Sequence, residues 1–313
     1  MHNLIKLKKT APYYYYRLLK WRLFGDCSPI GASIKITQRC NLQCTHCPWH
    51  KNHQMKDLSL NSWKNIIDEL IASGVTVIAI EGGEPTLYDN LHDIVEYIKE
   101  RGVYCIIITN GTRDINGLLP DVFWVSIDAM AQTHDSIRGR GTFAKVVNTL
   151  AANTDKKLIT LTSISKENER DIEALCNFLH DKVYGLMFNF IYPYSNIKHN
   201  TLNNEERQEV GKRLLLLKKK YPQKVLNSYS FLKGIGSDKG HLYPWLLTTV
   251  TSDGKKIQGC LVRHVETEDC SLCDMGCCIE LSNLYKLNDG AIAFWAKNIG
   301  LPKLISISSE KML

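Results

Sequence analysis

Cys40, Cys44 and Cys47 fall within eight residues, spaced C-x3-C-x2-C, directly after the apolar, β-branched run Ser33 to Thr37. A strand that runs into a thiol-rich loop can aim three sulfurs at one point. Thiolates are soft ligands, suited to iron–sulfur clusters, zinc or copper(I). A closed tetrahedral zinc site wants four protein ligands, and no fourth cysteine follows Cys47 before Cys105. Three thiolates on a cubane cluster would leave one iron open to another molecule. Two plainer readings compete. Positions i, i+4 and i+7 share a helix face, so the three could be small core residues. Asn41, Gln43, Thr45 and His46 between them, with Pro48 next, make a poor core helix. A disulfide would leave one thiol over, and no signal peptide directs the chain to an oxidising compartment.

A second group lies near the C-terminal end: Cys260, Cys270, Cys273, Cys277 and Cys278, behind an Asp253-Gly254 turn that fits a hairpin. A cysteine, then a CxxC pair, then further thiols can close either a structural zinc site or a second iron–sulfur cluster. The remaining three of the eleven cysteines, Cys27, Cys105 and Cys176, are scattered and read as ordinary core residues.

Something must position the first group. Stretches rich in β-branched and aromatic residues predict strands at 33–37, 75–81, 103–109, 122–128, 157–164 and 184–192. Helices are predicted near 60–72, 90–100, 142–152 and 168–181, with a short link at 113–120, a further helix at 203–220 and a short one over 279–284. Repeated βα units imply an α/β fold with a parallel sheet and right-handed crossovers. Six strands are too few for a closed eight-stranded barrel, and sites in such folds lie at the strands' C-terminal ends. There stand Gly82, Gly83, Glu84 and Pro85 after the second strand, Asn110 after the third, and Ser126 and Asp128, on one side by alternation, at the fourth. Adjacent glycines let backbone approach a ligand closely.

The loop from Cys40 to Cys47 resembles the cluster loop of the radical S-adenosylmethionine (SAM) superfamily, and Gly82-Gly83-Glu84-Pro85 resembles its GGEP motif. The resemblance implies a partial (β/α)6 TIM-like barrel over roughly residues 30–195. It also implies a 4Fe–4S cluster on Cys40, Cys44 and Cys47, with SAM chelated by the open iron and its amino group met by the GGEP loop. The stretch His134 to Phe143 is similar to the segment after the fourth strand in the branch with auxiliary clusters. By that likeness Arg138 contacts SAM, as do Ser126 through ribose or carboxylate and, more remotely, Asn110, Asp128 and Ser163. Residues 250–285 resemble the SPASM and twitch domains. With fewer cysteines than a full SPASM domain, they imply one auxiliary 4Fe–4S cluster on Cys260, Cys270, Cys273 and Cys277 or Cys278. The implied chemistry is reductive cleavage of SAM to a 5′-deoxyadenosyl radical that abstracts hydrogen, with a reductant such as flavodoxin or ferredoxin. The expected substrate is a small or membrane-associated metabolite; the alternatives are a peptide and, in a different class, a non-catalytic iron–sulfur or zinc protein.

The 313 residues divide into a basic, aromatic segment (1–29), a barrel (30–200), a helical linker (201–250) and a small cysteine-rich domain with its tail (251–313). The net charge of +7 is local. Lys6, Lys8, Lys9, Arg17, Lys20 and Arg22 precede any acid, so the 39 basic residues leave 33 against 32 acidic ones elsewhere. That balance argues against a nucleic-acid enzyme, which would carry a basic stripe over its body. Tyr13 to Tyr16, Trp21 and Phe24 interleave with these charges as in interfacial helices. No apolar run approaches the roughly 20 residues that span a bilayer. The expectation is a cytoplasmic chain whose N-terminal segment either packs its aromatics on the barrel as a solvated helix or makes it peripheral to the membrane.

Overall fold

In a computed structural model, residues 11–47, 56–192, 197–237, 242–260 and 274–286 are described. In chain order the elements are α1 (Ala11–Phe24), β1 (Gly31–Thr37), α2 (Leu60–Ala72), β2 (Val77–Gly82), α3 (Leu91–Glu100), β3 (Tyr104–Thr109) and β4 (Val122–Ser126). There follow α4 (Ala131–Arg138), α5 (Thr142–Ala152), β5 (Leu158–Ile164), α6 (Ile172–Leu179) and β6 (Gly185–Phe190). The chain continues with α7 (Asn204–Lys220), α8 (Tyr229–Gly234), β7 (Leu247–Val250), β8 (Lys256–Gln258) and α9 (Gly276–Tyr285).

All six expected strands form and pair in parallel in the order β6-β5-β4-β3-β2-β1. Each is covered on both faces, which is why the strands read as continuous apolar runs. Alternation sorts the side chains. On β2, Ile78 and Ile80 point outward into the helical layer with Trp63 and Ile67 of α2, while Val77 and Ala79 join an inner cluster with Ile106, Trp124 and Leu161. Local signals end the helices where expected. Ser59 Oγ accepts from Ser62 N at 3.2 Å to start α2, and Asn203 and Glu206 form a capping box on α7.

The structure differs from expectation in four places. The sheet has two more strands: β7 pairs in parallel with β1, and β8 turns back antiparallel to it through the Asp253-Gly254 turn. The boundary expected at 250/251 thus cuts a hairpin whose first strand belongs to the barrel sheet; four residues of strand were too short a signal to stand out from a linker. α4 falls where only a loop segment was read. Its buried face is His134, Ile137 and Arg138, two of them polar, so the apolar period that marks a helix is missing. The helix expected at 168–181 begins instead with a 3-10 turn, Glu169–Asp171, before α6. Cys105 and Cys176 are buried as expected, but Cys27 is exposed.

The barrel is closed below and at its side by two helices. α1 lies at the N-terminal ends of the strands, where Tyr14 Oη meets Thr76 Oγ1 at 3.0 Å and Arg17 Nη2 donates to Ser28 O at 2.5 Å. Its Leu18 and Trp21 join the inner cluster, and Trp21 packs on Tyr243, Trp245 and Tyr285 with ring centroids 4.8, 5.7 and 6.0 Å away. α9 runs from the top of β6, where Gly276 N donates to Asn189 Oδ1 at 3.0 Å, to Tyr285 beside Trp245. One side of α1 thus packs its aromatics on the barrel. Its other half, Tyr15, Tyr16, Leu19, Leu23 and Phe24, stays exposed.

Candidate functional site

A cavity of about 440 Å³ occupies the barrel lumen. Going up each strand, the lumen-facing residues pass from apolar to polar: Val77 and Ala79 to Glu81 on β2, Val122 and Trp124 to Ser126 on β4, Ile159 and Leu161 to Ser163 on β5. Along these strands the polar side chains gather at the mouth, at the C-terminal ends, as anticipated for this architecture.

Cys40, Cys44 and Cys47 all line that mouth. Backbone bonds clamp their loop to the segment after β2: Gly83 N donates to Thr37 O and Glu84 N to Arg39 O, both at 2.8 Å. A Cβ on Gly82 would lie 2.3 Å from Thr37 O, and one on Gly83 2.2 Å from Arg39 O. The two glycines are therefore required first by the approach of two loops to each other, and only then open to a ligand. Asn110 Nδ2 donates to Asn41 Oδ1 at 2.8 Å, and Asn41 Nδ2 to Thr112 Oγ1 at 2.9 Å, tying the loop to the end of β3. Thr45 N donates to Ile137 O at 2.9 Å, tying it to α4.

Glu84 is fully buried beneath this junction. Its carboxylate accepts from Thr86 N, Thr86 Oγ1, Thr109 Oγ1 and Asn110 N at 2.7–3.1 Å. Pro85, also buried, opens a 3-10 turn beside it. Neither lines the cavity.

On the far side Arg138 is buried, donating through Nε to Asp128 Oδ2 at 2.5 Å with Nη1 4.0 Å from Cys44 Sγ. Burial opposes the charge on Asp128, but the guanidinium holds its carboxyl below the usual range. Asp128 also accepts from Ser163 N at 3.0 Å. It does not line the cavity, whereas Arg138, Ser126, Ser163 and Asn110 do. Burial pushes the Cys40 thiol up and the Cys44 thiol to about 11, Arg138 offsetting part of the latter. Such thiols give up their protons to a metal rather than to water. His134 Nδ1 accepts a hydrogen bond from Asp128 N at 3.2 Å, and its Nε2 is buried without a partner. Desolvation pulls its pKa to about 4.

Of the residues read from the sequence, Cys40, Cys44, Cys47, Gly82, Gly83, Asn110, Ser126, Arg138, Ser163 and Cys260 come together around one cavity. Cys270 and Cys273 lie outside the described residues, and Cys277 and Cys278 fall in the first turn of α9. Sequence reasoning missed Lys35 and Glu81, paired at 2.9 Å across the mouth, and Glu280 of α9, whose carboxyl burial raises to about 7. Alternation along β1 placed Lys35 on the Ser33 side, which was the available signal; the short helix expected over 279–284 forms within α9, but nothing in the sequence turns Glu280 toward the barrel.

The donor set suits a cluster better than one ion. Four thiolates around zinc at its usual bond length stand about 3.8 Å apart. Among the described residues the one trio of ligating side chains within 4.8 Å is the exposed His92, Asp93 and Glu96, so the three cysteines spread wider than that.

Residues 34–179 match the model of the radical SAM superfamily. These residues form a radical SAM domain. A 4Fe–4S cluster and SAM are the cofactors that such a domain brings. The chain is 34% identical over 163 residues to Fe-coproporphyrin III synthase of Methanosarcina barkeri, covering 47% of this chain and 40% of that protein. It is 28% identical over 166 residues to the subtilosin biosynthesis protein AlbA of Bacillus subtilis, covering 49% and 37%. The match thus spans about two fifths of the length of these curated relatives. In fold it is similar to Streptococcus suis SuiB bound to its precursor peptide SuiA, at a TM-score of 0.66 and 14% identity, over 83% of this chain and 65% of that one.

Two outcomes follow from the geometry. Gly83→Ala, by forcing the loops apart, should cost on the order of 1–3 kcal/mol and deplete the iron bound after anaerobic reconstitution, while circular dichroism still reports the fold. His134 stays neutral in the fold until about pH 4 but takes a proton near 6.5 when unfolded. The unfolded chain thus binds more protons in that window, so stability falls as pH drops through it, by roughly 3 kcal/mol at most. Urea unfolding across the window should show a shallower slope for His134→Asn, which keeps an acceptor for Asp128 N.

Proposed function

We propose that the chain is a radical SAM enzyme that reductively cleaves SAM and directs hydrogen abstraction onto a substrate held in the barrel lumen. The observation that carries this is the convergence of the three cysteines, the Gly82-Gly83 backbone, Asn110, Ser126, Ser163 and Arg138 on one cavity mouth. A cluster held by Cys40, Cys44 and Cys47 would supply the electron that breaks the S–C5′ bond of SAM to give methionine and a 5′-deoxyadenosyl radical. The protein's part is placement. Arg138, fixed by Asp128, sets a positive charge beside Cys44 and near any carboxylate bound at the mouth. The carbonyls of Gly82 and Gly83 offer acceptors to an ammonium group, and the apolar wall below excludes water from a reactive carbon centre.

For the substrate, the apolar lumen supports a small or membrane-associated metabolite with an apolar body. The exposed face of α1, Tyr15, Tyr16, Leu19, Leu23 and Phe24 beside Arg22, supports contact with an anionic bilayer, and among the described residues no helix is long and apolar enough to cross one. A peptide substrate is the second reading, favoured by the likeness to AlbA and to the SuiB fold. We further propose one auxiliary 4Fe–4S cluster on Cys260, Cys270, Cys273 and Cys277 or Cys278, supported by Cys260 standing in the wall of the same cavity, and a flavodoxin or ferredoxin as reductant.

The protein purified without oxygen should hold about eight irons with matching sulfide, and replacing Cys40, Cys44 and Cys47 together with Ala should leave about half. Iron near half that value in the unmodified protein, with stoichiometric zinc, would remove the auxiliary cluster. With dithionite and SAM, 5′-deoxyadenosine should form slowly even without substrate, and Cys44→Ala should abolish it; cleavage that survives the triple substitution overturns the site. In flotation with anionic vesicles the full chain should rise and largely release at high salt, at about 1 kcal/mol per basic residue near the surface. A chain lacking residues 1–25 should stay below, and equal behaviour of the two would leave α1 as a packing helix alone.

A further inference from the structure

The lumen below the mouth is mainly apolar, with Ser33, Thr249 and Tyr104 among its lining. Val77, Ile106, Val122, Ile159, Met187 and Leu281 line it, and strand rise places Val77 roughly 13 Å below Glu81. Charged groups at the mouth have partners: Lys35 with Glu81, and Arg138 with Asp128. Glu280 does not fit that pattern. It lines the cavity from α9, the helix that closes the barrel beside β6, and is 2% exposed. Its Oε1 accepts from Ser228 N at 2.8 Å, while Oε2 is buried with no hydrogen-bond partner. Among the described residues lining the cavity, Glu280 is the one with such an orphaned side-chain atom.

A buried acceptor without a donor destabilises the fold, and a helix packed this firmly holds it in place. Gly276 N is bonded to Asn189 Oδ1 and Ser282 Oγ to Tyr243 N, at 3.0 and 2.9 Å. Leu281 and Tyr285 pack into the inner cluster on either side of Ser282. The carboxyl cannot swing out to water to find its donor. The donor must come to it.

We infer that Glu280 is a specificity-determining residue whose free carboxyl oxygen receives an N–H donor, an amine, carried on the apolar body of the substrate. This rests on the lumen being the substrate site. It adds the chemical class: an amphipathic amine whose apolar part fills the sleeve and whose nitrogen is read by α9. The amine could belong to a lipid-like molecule or to a peptide side chain, and a test can separate the two.

Binding to the reconstituted holoprotein would be measured by calorimetry with three probes. n-Octylamine stands for a lipid amine, Nα-acetyl-lysine N-methylamide for a peptide amine, and methyl octyl ether offers the same apolar chain with no donor. Glu280→Gln keeps the acceptor for Ser228 N and nearly the same shape. The expected result is that at least one amine binds the unmodified protein and is weakened at least tenfold by Glu280→Gln, while the ether binds both proteins within about twofold, which also certifies the fold. Octylamine alone showing that loss identifies a lipid-like amine; the lysine derivative alone identifies a peptide. The inference is overturned if neither amine binds the unmodified protein, if amine binding is unchanged by the substitution, or if ether and amine weaken together. Because the readout is binding, absent SAM cleavage would defeat the proposed chemistry without touching this result, and the reverse also holds.

Discussion

Two backbone hydrogen bonds, Gly83 N to Thr37 O and Glu84 N to Arg39 O, carry the arrangement of the whole mouth. They seat the cysteine loop on the segment after β2, and everything else around the cavity is registered against that junction. Buried Glu84 supports it from below by gathering donors from both Thr86 groups, Thr109 and Asn110. Asn110 in turn holds Asn41 within the cysteine loop. Three chain segments thus share one hydrogen-bond network with a buried carboxyl group at its centre. Such a network is stiff when complete, because each buried polar atom in it has too much to lose by moving.

Much of this was legible in the chain itself. The six parallel strands were visible because their β-branched runs are buried on both faces, and strand ends then located the cysteines, Gly82-Gly83, Asn110, Ser126 and Ser163 together. What could not be read was which of these face the cavity and which build its frame. Glu84 and Asp128 look like ligand contacts in a motif, yet the structure spends Glu84 on the loop junction and Asp128 on Arg138 and Ser163 N. A carboxylate's partners are set by what the fold brings near it, and spacing along the chain does not contain that.

The misses share a cause. α4 is short and buries polar residues, so its period is inverted. β7 is brief and depends on pairing with β1 from far away in the chain. α9 was expected as a short helix, but its seat against β6, the 244–246 turn and α1 is set by contact. The role of each element depends on partners that its own pattern does not name, and Glu280 went unnoticed for the same reason.

The meeting of Trp21 with Tyr285 in the barrel floor has a kinetic consequence. Those rings belong to α1 and α9, which nearly the whole described chain separates. Loop closure grows costlier with separation, and contacts of this kind govern how slowly a fold completes. The strands and their intervening helices can pair through short crossovers while the side of the barrel between β6 and β7 still lacks α9. The interior is therefore assembled before it is shut, and the last wall to arrive is the one that bears Glu280.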